Sequence, residues 1–263
     1  MTARDTAGSP PGAATAFGAA ERRLLAAMPL HAITTSYGEG GLRERLLIEA
    51  GRLPAADRDR VLAAMGWMAR LHAGDRRQRE PYACHPLRVA IRILSHYRVA
   101  DADVACAALL HDTVEDHAAE LAPGGSRREA LAVLAGEFGT GVASLVGAVT
   151  SPPRVPGVDR HEQYRAHVTA SLQGCPQARV IKVSDFTDNA AGLFHTTGES
   201  LPRRAAKYQP LAPVLRELIL RADTPLADEV KDMIARQLDK ASARLAAITG
   251  DTASPRAGDG QGW

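Results

Sequence analysis

Residues 100–116 read ADADVACAALLHDTVED, and this stretch decides the fold class and points to the chemistry. Its first half is apolar and rich in Ala and Leu, which are strong helix formers. Its second half is acidic. If the helix continues to its end, His111, Asp112, Glu115 and Asp116 fall at i, i+1, i+4 and i+5 on one face. Three acidic groups so close repel one another unless they share a cation or a proton. A merely exposed helix end is the poorer reading, because acids at a helix C-terminus oppose the dipole. A bare His-Asp dipeptide says nothing; HDxxED behind an apolar helix says considerably more.

Helical periodicity recurs on both sides of this stretch. Upstream are AERRLLAAMPL (20–30), LRERLLIEA (42–50) and AADRDRVLAAMGWMARLHAG (55–74). The third is opened by Pro54, carries Val61, Leu62, Met65, Met68 and Leu71 at three- and four-residue steps, and is closed by Gly74. HPLRVAIRILSHY (85–97) precedes the central stretch, and SRREALAVLAGEFG (126–139) follows a Gly-Gly-Ser loop. Beyond a Pro-rich break at 152–157 come DRHEQYRAHVTASLQ, QARVIKVSDFTDNAAGL, LPRRAAKYQPLAPVLRELIL and PLADEVKDMIARQLDKASARLAAI. No alternation is strong enough for a sheet. The expectation is an all-α bundle of about ten helices, with one domain over 19–249 between disordered segments at 1–18 and 250–263.

Composition agrees. Among 263 residues 45% are hydrophobic but only 4% aromatic, which favours helices over strands. A net charge of +2 provides no bulk field to recruit nucleic acid or a membrane, so any anion site must be local. Cys84, Cys106 and Cys175 are odd in number, far apart and without a CxxC, and read as reduced thiols. With no membrane-length apolar run and no signal-peptide pattern at the N-terminus, a cytoplasmic location is expected. Nothing in the sequence specifies an oligomeric state.

Metal-binding groups come from three separated places: His85 at a helix start, His111 with Asp112, and Asp185 within VIKVSDFTDN. Two imidazoles and two carboxylates make an N/O site suited to manganese, iron or magnesium rather than to a thiolate-preferring metal. Such an ion polarises phosphoryl oxygen and lowers the pKa of water.

The run HAGDRRQREPYACHPLRVA (72–90), then ALLHDTVED (108–116), EFGTGVASLVGAVT (137–150) and VIKVSDFTDNAAGL (180–193) resembles the HD-type hydrolase domain of the Rel/SpoT guanosine alarmone enzymes. The closest likeness is to the small stand-alone type that includes the metazoan SpoT homologue. The resemblance spans about 61–220, and no nucleotidyl-transfer domain is expected after it. It implies an HD-type helical domain that removes pyrophosphate from the 3′ position of guanosine tetra- or pentaphosphate, using one manganese ion, with other divalent metals possible. By the resemblance the metal ligands are His85, His111, Asp112 and Asp185, and Glu115 and Asp116 are catalytic proton-handling or water-positioning groups. Arg76 and Arg77 stack on the base and meet phosphate, Asn189 contacts the nucleoside, and Arg204 with Tyr208 forms a further substrate-binding pair. Lys182 lies in a family-like run, but a snorkelling lysine explains it equally well. His72, His96, His117, His161, His167 and His195 receive no role.

The chain departs from the family after the fourth ligand. Relatives carry a basic residue, Leu, and His or Tyr before the Asn, where this chain has Phe186, Thr187 and Asp188; Ala191 replaces a common Arg. Asp188 is a second acid near Asp185, unfavourable beside a polyanion unless a metal or an arginine offsets it. The expectation is weakened alarmone binding, improved by Asp188→His with Ala191→Arg. Two other functions stay open: a phosphatase of another nucleotide, such as a nucleoside monophosphate or the 2′-phosphate of NADPH, and a non-catalytic nucleotide-binding module.

Overall fold

The computed structural model describes residues 17–77, 80–193 and 200–250, with the side chains of Ala191 and Gly192 excepted. Most of the expected disordered ends (1–16 and 251–263), the side chain of Ala191, and His195 lie outside what is described. Among the described residues the chain is all-α, with no strand and a single isolated bridge between Arg76 and Pro81. The helices are α1 (Ala19–Ala27), α2 (Leu30–Ala50), α3 (Ala55–Leu71), α4 (Cys84–Ser95), α5 (Ala102–Leu110), α6 (Thr113–Asp116) and α7 (Ala118–Leu121). Then come α8 (Arg127–Phe138), α9 (Thr140–Val149), α10 (Arg160–Gln173), α11 (Pro176–Leu193), α12 (Ser200–Tyr208), α13 (Leu211–Ile219) and α14 (Asp228–Thr249).

This is the expected helical bundle with finer subdivision. The acidic half of the central stretch turns at His111 and Asp112 and resumes as the short α6 and α7. Pro210 divides the 201–220 segment into α12 and α13, since proline lacks the N–H that would continue the ladder. Gly139, at φ 94, lets α9 start immediately after α8 in a backbone conformation that a side chain would strain. Pro54 is the N-cap of α3 rather than its first residue, and α3 ends at Leu71 with His72 as its cap, before Gly74.

Helix α5 is the axis of the core. All of its residues except Asp103 are buried, and it packs against α3, α4, α9 and α11. Small Ala residues permit these close approaches, and Asp101 caps its start by accepting from the backbone N–H groups of Asp103 and Val104. Helix α4 is wedged between α2, α5 and α11. The start of α4, the end of α5 and the middle of α11 therefore meet at one place, and each carries part of the site.

Candidate active site and metal centre

His85 is the second residue of α4 and is fully buried. Its Nδ1 lies 2.8 Å from Asp188 Oδ2 on α11. An acceptor there fixes the Nδ1–H tautomer and leaves the Nε2 lone pair facing inward. His111, at the end of α5, is oriented in the same way: its Nδ1 lies 2.9 Å from the Ala108 carbonyl oxygen. Both Nε2 atoms are buried without a hydrogen-bond partner.

Two carboxylates face them. Asp185 Oδ1 is 3.2 Å from His85 Nε2 and 3.8 Å from His111 Nε2. Asp112 Oδ2 is 3.1 Å from His111 Nε2 and 3.8 Å from His85 Nε2. His85, His111 and Asp185 present ligand atoms that all lie within 4.8 Å of one another. The donor set suits a hard-to-borderline divalent cation, and the orphaned imidazole nitrogens are what such an ion would satisfy. Burial opposes a charge on His111, but Asp112 and Asp185 outweigh it and raise its pKa to about 9. Burial would also push both carboxyls up; instead His111 holds Asp112, and Lys182 with His85 holds Asp185, well below the usual range. The cluster keeps its negative charge and draws in a proton or a cation.

The remaining contacts tie this cluster to its surroundings. Tyr82 donates to Asp112 Oδ2 at 2.6 Å, Lys182 to Asp185 Oδ2 at 3.0 Å, and Asn189 to Asp185 Oδ1 at 2.5 Å. Arg77 Nη1 donates to Asn189 Oδ1 at 3.1 Å, and the Arg77 guanidinium lies 5.0 Å from the centre of the Tyr82 ring. Arg77, Asn189, Arg204, Lys207 and Tyr208 help to line a groove of about 1430 Å³. Tyr164 lies between two ammonium groups, Lys182 at 5.3 Å and Lys207 at 4.8 Å from its ring centre. Burial and the charge of Lys182 lower the pKa of Lys207, as expected where cations converge without enough counter-charge. Such a place attracts an anion.

Residues 64–179 match the HD domain family. The zebrafish (Danio rerio) protein named guanosine-3′,5′-bis(diphosphate) 3′-pyrophosphohydrolase MESH1 is 33% identical over 143 residues, covering 53% of this chain and 72% of that protein. The chain belongs to the HD-domain hydrolases of the MESH1 type. The human (Homo sapiens) MESH1 is 34% identical over 143 residues, 53% of this chain and 72% of the relative. A GTP pyrophosphokinase of Myxococcus xanthus is 32% identical over 171 residues, 60% of this chain but 21% of that longer protein. Among solved structures, a metazoan ortholog of SpoT described as hydrolysing ppGpp superposes with a TM-score of 0.54 at 22% identity, over 73% of this chain and 96% of that one, and shows the same fold.

The eleven residues singled out in the sequence fall into four groups in this HD hydrolase. His85, His111, Asp112, Asp185, Arg77 and Asn189 form one connected cluster, and Arg204 and Tyr208 line the adjoining groove. Glu115 and Asp116 follow on α6, exposed; Glu115 Oε2 accepts from the Ser151 backbone N–H at 3.0 Å. Arg76, also exposed, makes none of these contacts and does not line the groove.

Asp188 stands at the groove, as its position in the sequence suggested, but its charge is already paired. It is buried and accepts from Arg88 Nε at 2.8 Å, Arg88 Nη2 at 2.9 Å and Arg92 Nη2 at 3.1 Å, besides facing His85. Arg88 is held in turn by both oxygens of Glu80, at 2.8 and 2.7 Å. The arginine offset is therefore present, and Asp188 orients His85. Phe186 packs in the core, 6.0 Å from the Tyr208 ring. Sequence reading gave no role to Tyr82, although it stands in the run 72–90 three residues before His85, and it missed Tyr164 and Lys207, which carry no motif signal. It also missed Arg88, for which a signal existed: a charge three residues after His85 shares its buried face.

Proposed function

We propose that this chain hydrolyses the 3′-diphosphate of guanosine tetra- or pentaphosphate, releasing pyrophosphate and leaving the 3′-hydroxyl. The observation that carries this reading is the pair of orphaned imidazole nitrogens converging with two carboxylates beside a groove supplied with Arg77, Arg204 and Lys207. The family resemblance and the names of the relatives support the choice of substrate. His85, His111, Asp112 and Asp185 would hold one divalent ion, for which manganese is the candidate. When bound, such an ion polarises a phosphoryl oxygen and lowers the pKa of water.

The chain's own residues supply the rest. Water adds to the phosphorus attached to O3′, the O3′–phosphorus bond breaks, the water oxygen leaves in pyrophosphate and a proton passes to O3′. Glu115 and Asp116 are the carboxylates for that transfer, taking a proton from water and returning one to the leaving oxygen. Partial desolvation and the charges of Asp112 and Glu115 raise the pKa of Asp116, which suits it to carry the proton. Arg77, packed on Tyr82, and Arg204 with Tyr208 receive the base and the phosphates that do not react. Lys182 and Lys207 neutralise charge on the transferred group.

No described helix is long and apolar enough to cross a membrane. With its free cysteines, we read residues 19–249 as one cytoplasmic hydrolase domain whose partner is a small phosphorylated nucleotide. The test is turnover of a nucleotide panel with pyrophosphate and orthophosphate scored separately. Pyrophosphate from the alarmone supports the reading. Orthophosphate from a nucleoside monophosphate or NADPH, with the alarmone untouched, replaces it.

A further inference from the structure

Two of the histidines that the sequence left without a role meet outside the centre described above. His72 caps α3, and His117 lies at the junction of α6 and α7. Both are buried. His72 Nδ1 is 2.8 Å from Asp75 Oδ2, His117 Nε2 is 2.7 Å from the same oxygen, and the two ring nitrogens are 3.1 Å apart.

We propose that His72, Asp75 and His117 form a second divalent-cation site, separate from the His85 centre and suited to a borderline transition metal of the zinc class. Three features carry it. First, His117 Nδ1 lies 2.8 Å from Glu120 Oε1. A carboxylate there fixes the Nδ1–H tautomer, so neutral His117 turns a lone pair, not a proton, toward Asp75 and His72. Second, His72 Nε2 is buried without a partner. Moving the ring proton from Nδ1 to Nε2 gives up the contacts of Nδ1 with Asp75 and His117, and a bound cation replaces both. Third, the rings are fixed before any ion arrives: His72 stacks on Tyr82 at 4.5 Å and 17° and meets the edge of His117 at 4.5 Å and 82°. Burial opposes a charge on His117, but Glu120 and Asp75 outweigh it and raise its pKa. The pocket thus draws positive charge, as a proton or as a metal.

Two imidazoles and one carboxylate are a borderline N/O set. In a tetrahedral zinc site with bonds of about 2.0–2.1 Å the ligand atoms stand about 3.3 Å apart. The two ring nitrogens need to open by about 0.2 Å and Asp75 Oδ2 to withdraw from each by about 0.5–0.6 Å, and Asp75, whose side chain is 38% exposed, can give. That exposure also leaves a coordination position to solvent. The site joins the loop carrying Arg77 and Tyr82 to α6, which carries Glu115 and Asp116, so an ion there would clamp both against Asp112 through Tyr82.

The test counts zinc bound to the full chain after chelator stripping, reloading and gel filtration, and does not depend on which nucleotide is cleaved. The wild type should hold two ions. His111→Ala/Asp112→Ala, which disables the first centre, should keep one. Asp75→Asn and, separately, His117→Gln should lose one while retaining the first. Asp75→Asn changes a partly exposed residue, so it reports even if His117→Gln fails to fold. One ion in the wild type, or none in His111→Ala/Asp112→Ala, or Asp75→Asn still holding two, overturns the proposal.

Discussion

Replacing Asp188 by Asn removes one charge at the point where the metal centre is oriented. Its two oxygens accept from His85, Arg88 and Arg92 at 2.8 to 3.1 Å, all in a buried setting. Asn keeps one acceptor oxygen and replaces the other with an N–H₂ donor. If the oxygen stays on His85, the arginines lose their counter-charge in a buried place, at a cost of about 3–5 kcal/mol of stability. If the N–H₂ turns to His85 instead, Nδ1 becomes the acceptor and the proton moves to Nε2, pointing into the metal centre. Losing such a partner lowers metal affinity by about ten- to a hundredfold. Urea denaturation and manganese titration on the same preparation measure both, and both should fall. Asp188→His, one half of the double substitution with Ala191→Arg that was expected from sequence alone to improve alarmone binding, should also weaken metal binding, because a second imidazole cannot replace the anion between two arginines. An Asp188→Asn variant with wild-type stability and metal affinity would refute the orienting role.

Glu115→Gln should lower kcat by about a hundredfold or more with little change in KM, because it removes a proton-transfer group and no ground-state contact; initial-rate kinetics decide it, and a normal kcat excludes Glu115 from the chemistry. Arg77→Ala should raise KM by roughly tenfold to a hundredfold, the loss of one charge-assisted hydrogen bond of about 1.5–3 kcal/mol, whereas Arg76→Ala should change it little. Equal effects would mean that the loop closes differently around substrate. Asp116 has its pKa raised in the folded state, chiefly by desolvation and then by Asp112 and Glu115. Its protonated form therefore favours folding below the unfolded pKa, and that contribution is lost as pH rises through the folded value. At neutral pH Asp116→Asn should raise the Tm of the metal-free protein while lowering turnover; a lower Tm contradicts the charge crowding.

Much of this was legible in the chain because local rules and tertiary demands agreed. The apolar face of α5 and the acids after it need each other: the buried helix places His111 and Asp112 at its end, where a cation offsets their neighbours. The same consistency made the His85 helix and the Asp185 segment readable. Asp188 was read as unfavourable unless a metal or an arginine offset it, and charge read along a sequence has no direction, so Arg88, Arg92 and His85 around it became visible only in the fold. Tyr82 meets Asp112, and Tyr164 meets Lys207, across separate segments that no spacing rule links. His72 and His117 stand 45 positions apart and were likewise indistinguishable from surface or core histidines. The helix number rises through breaks at Pro210 and at the turn after Leu110, and through α9 (Thr140–Val149), which was not among the segments read as helices.

The most direct measurement is cleavage of guanosine tetraphosphate by metal-stripped protein as manganese is added back, following GDP and pyrophosphate together. Turnover should be absent at the start, rise with metal to give the two products in equal amounts, and remain absent throughout in His111→Ala and Asp112→Ala. Full turnover before any metal is added, or undiminished turnover in those variants, would contradict a metal-dependent site built on these residues.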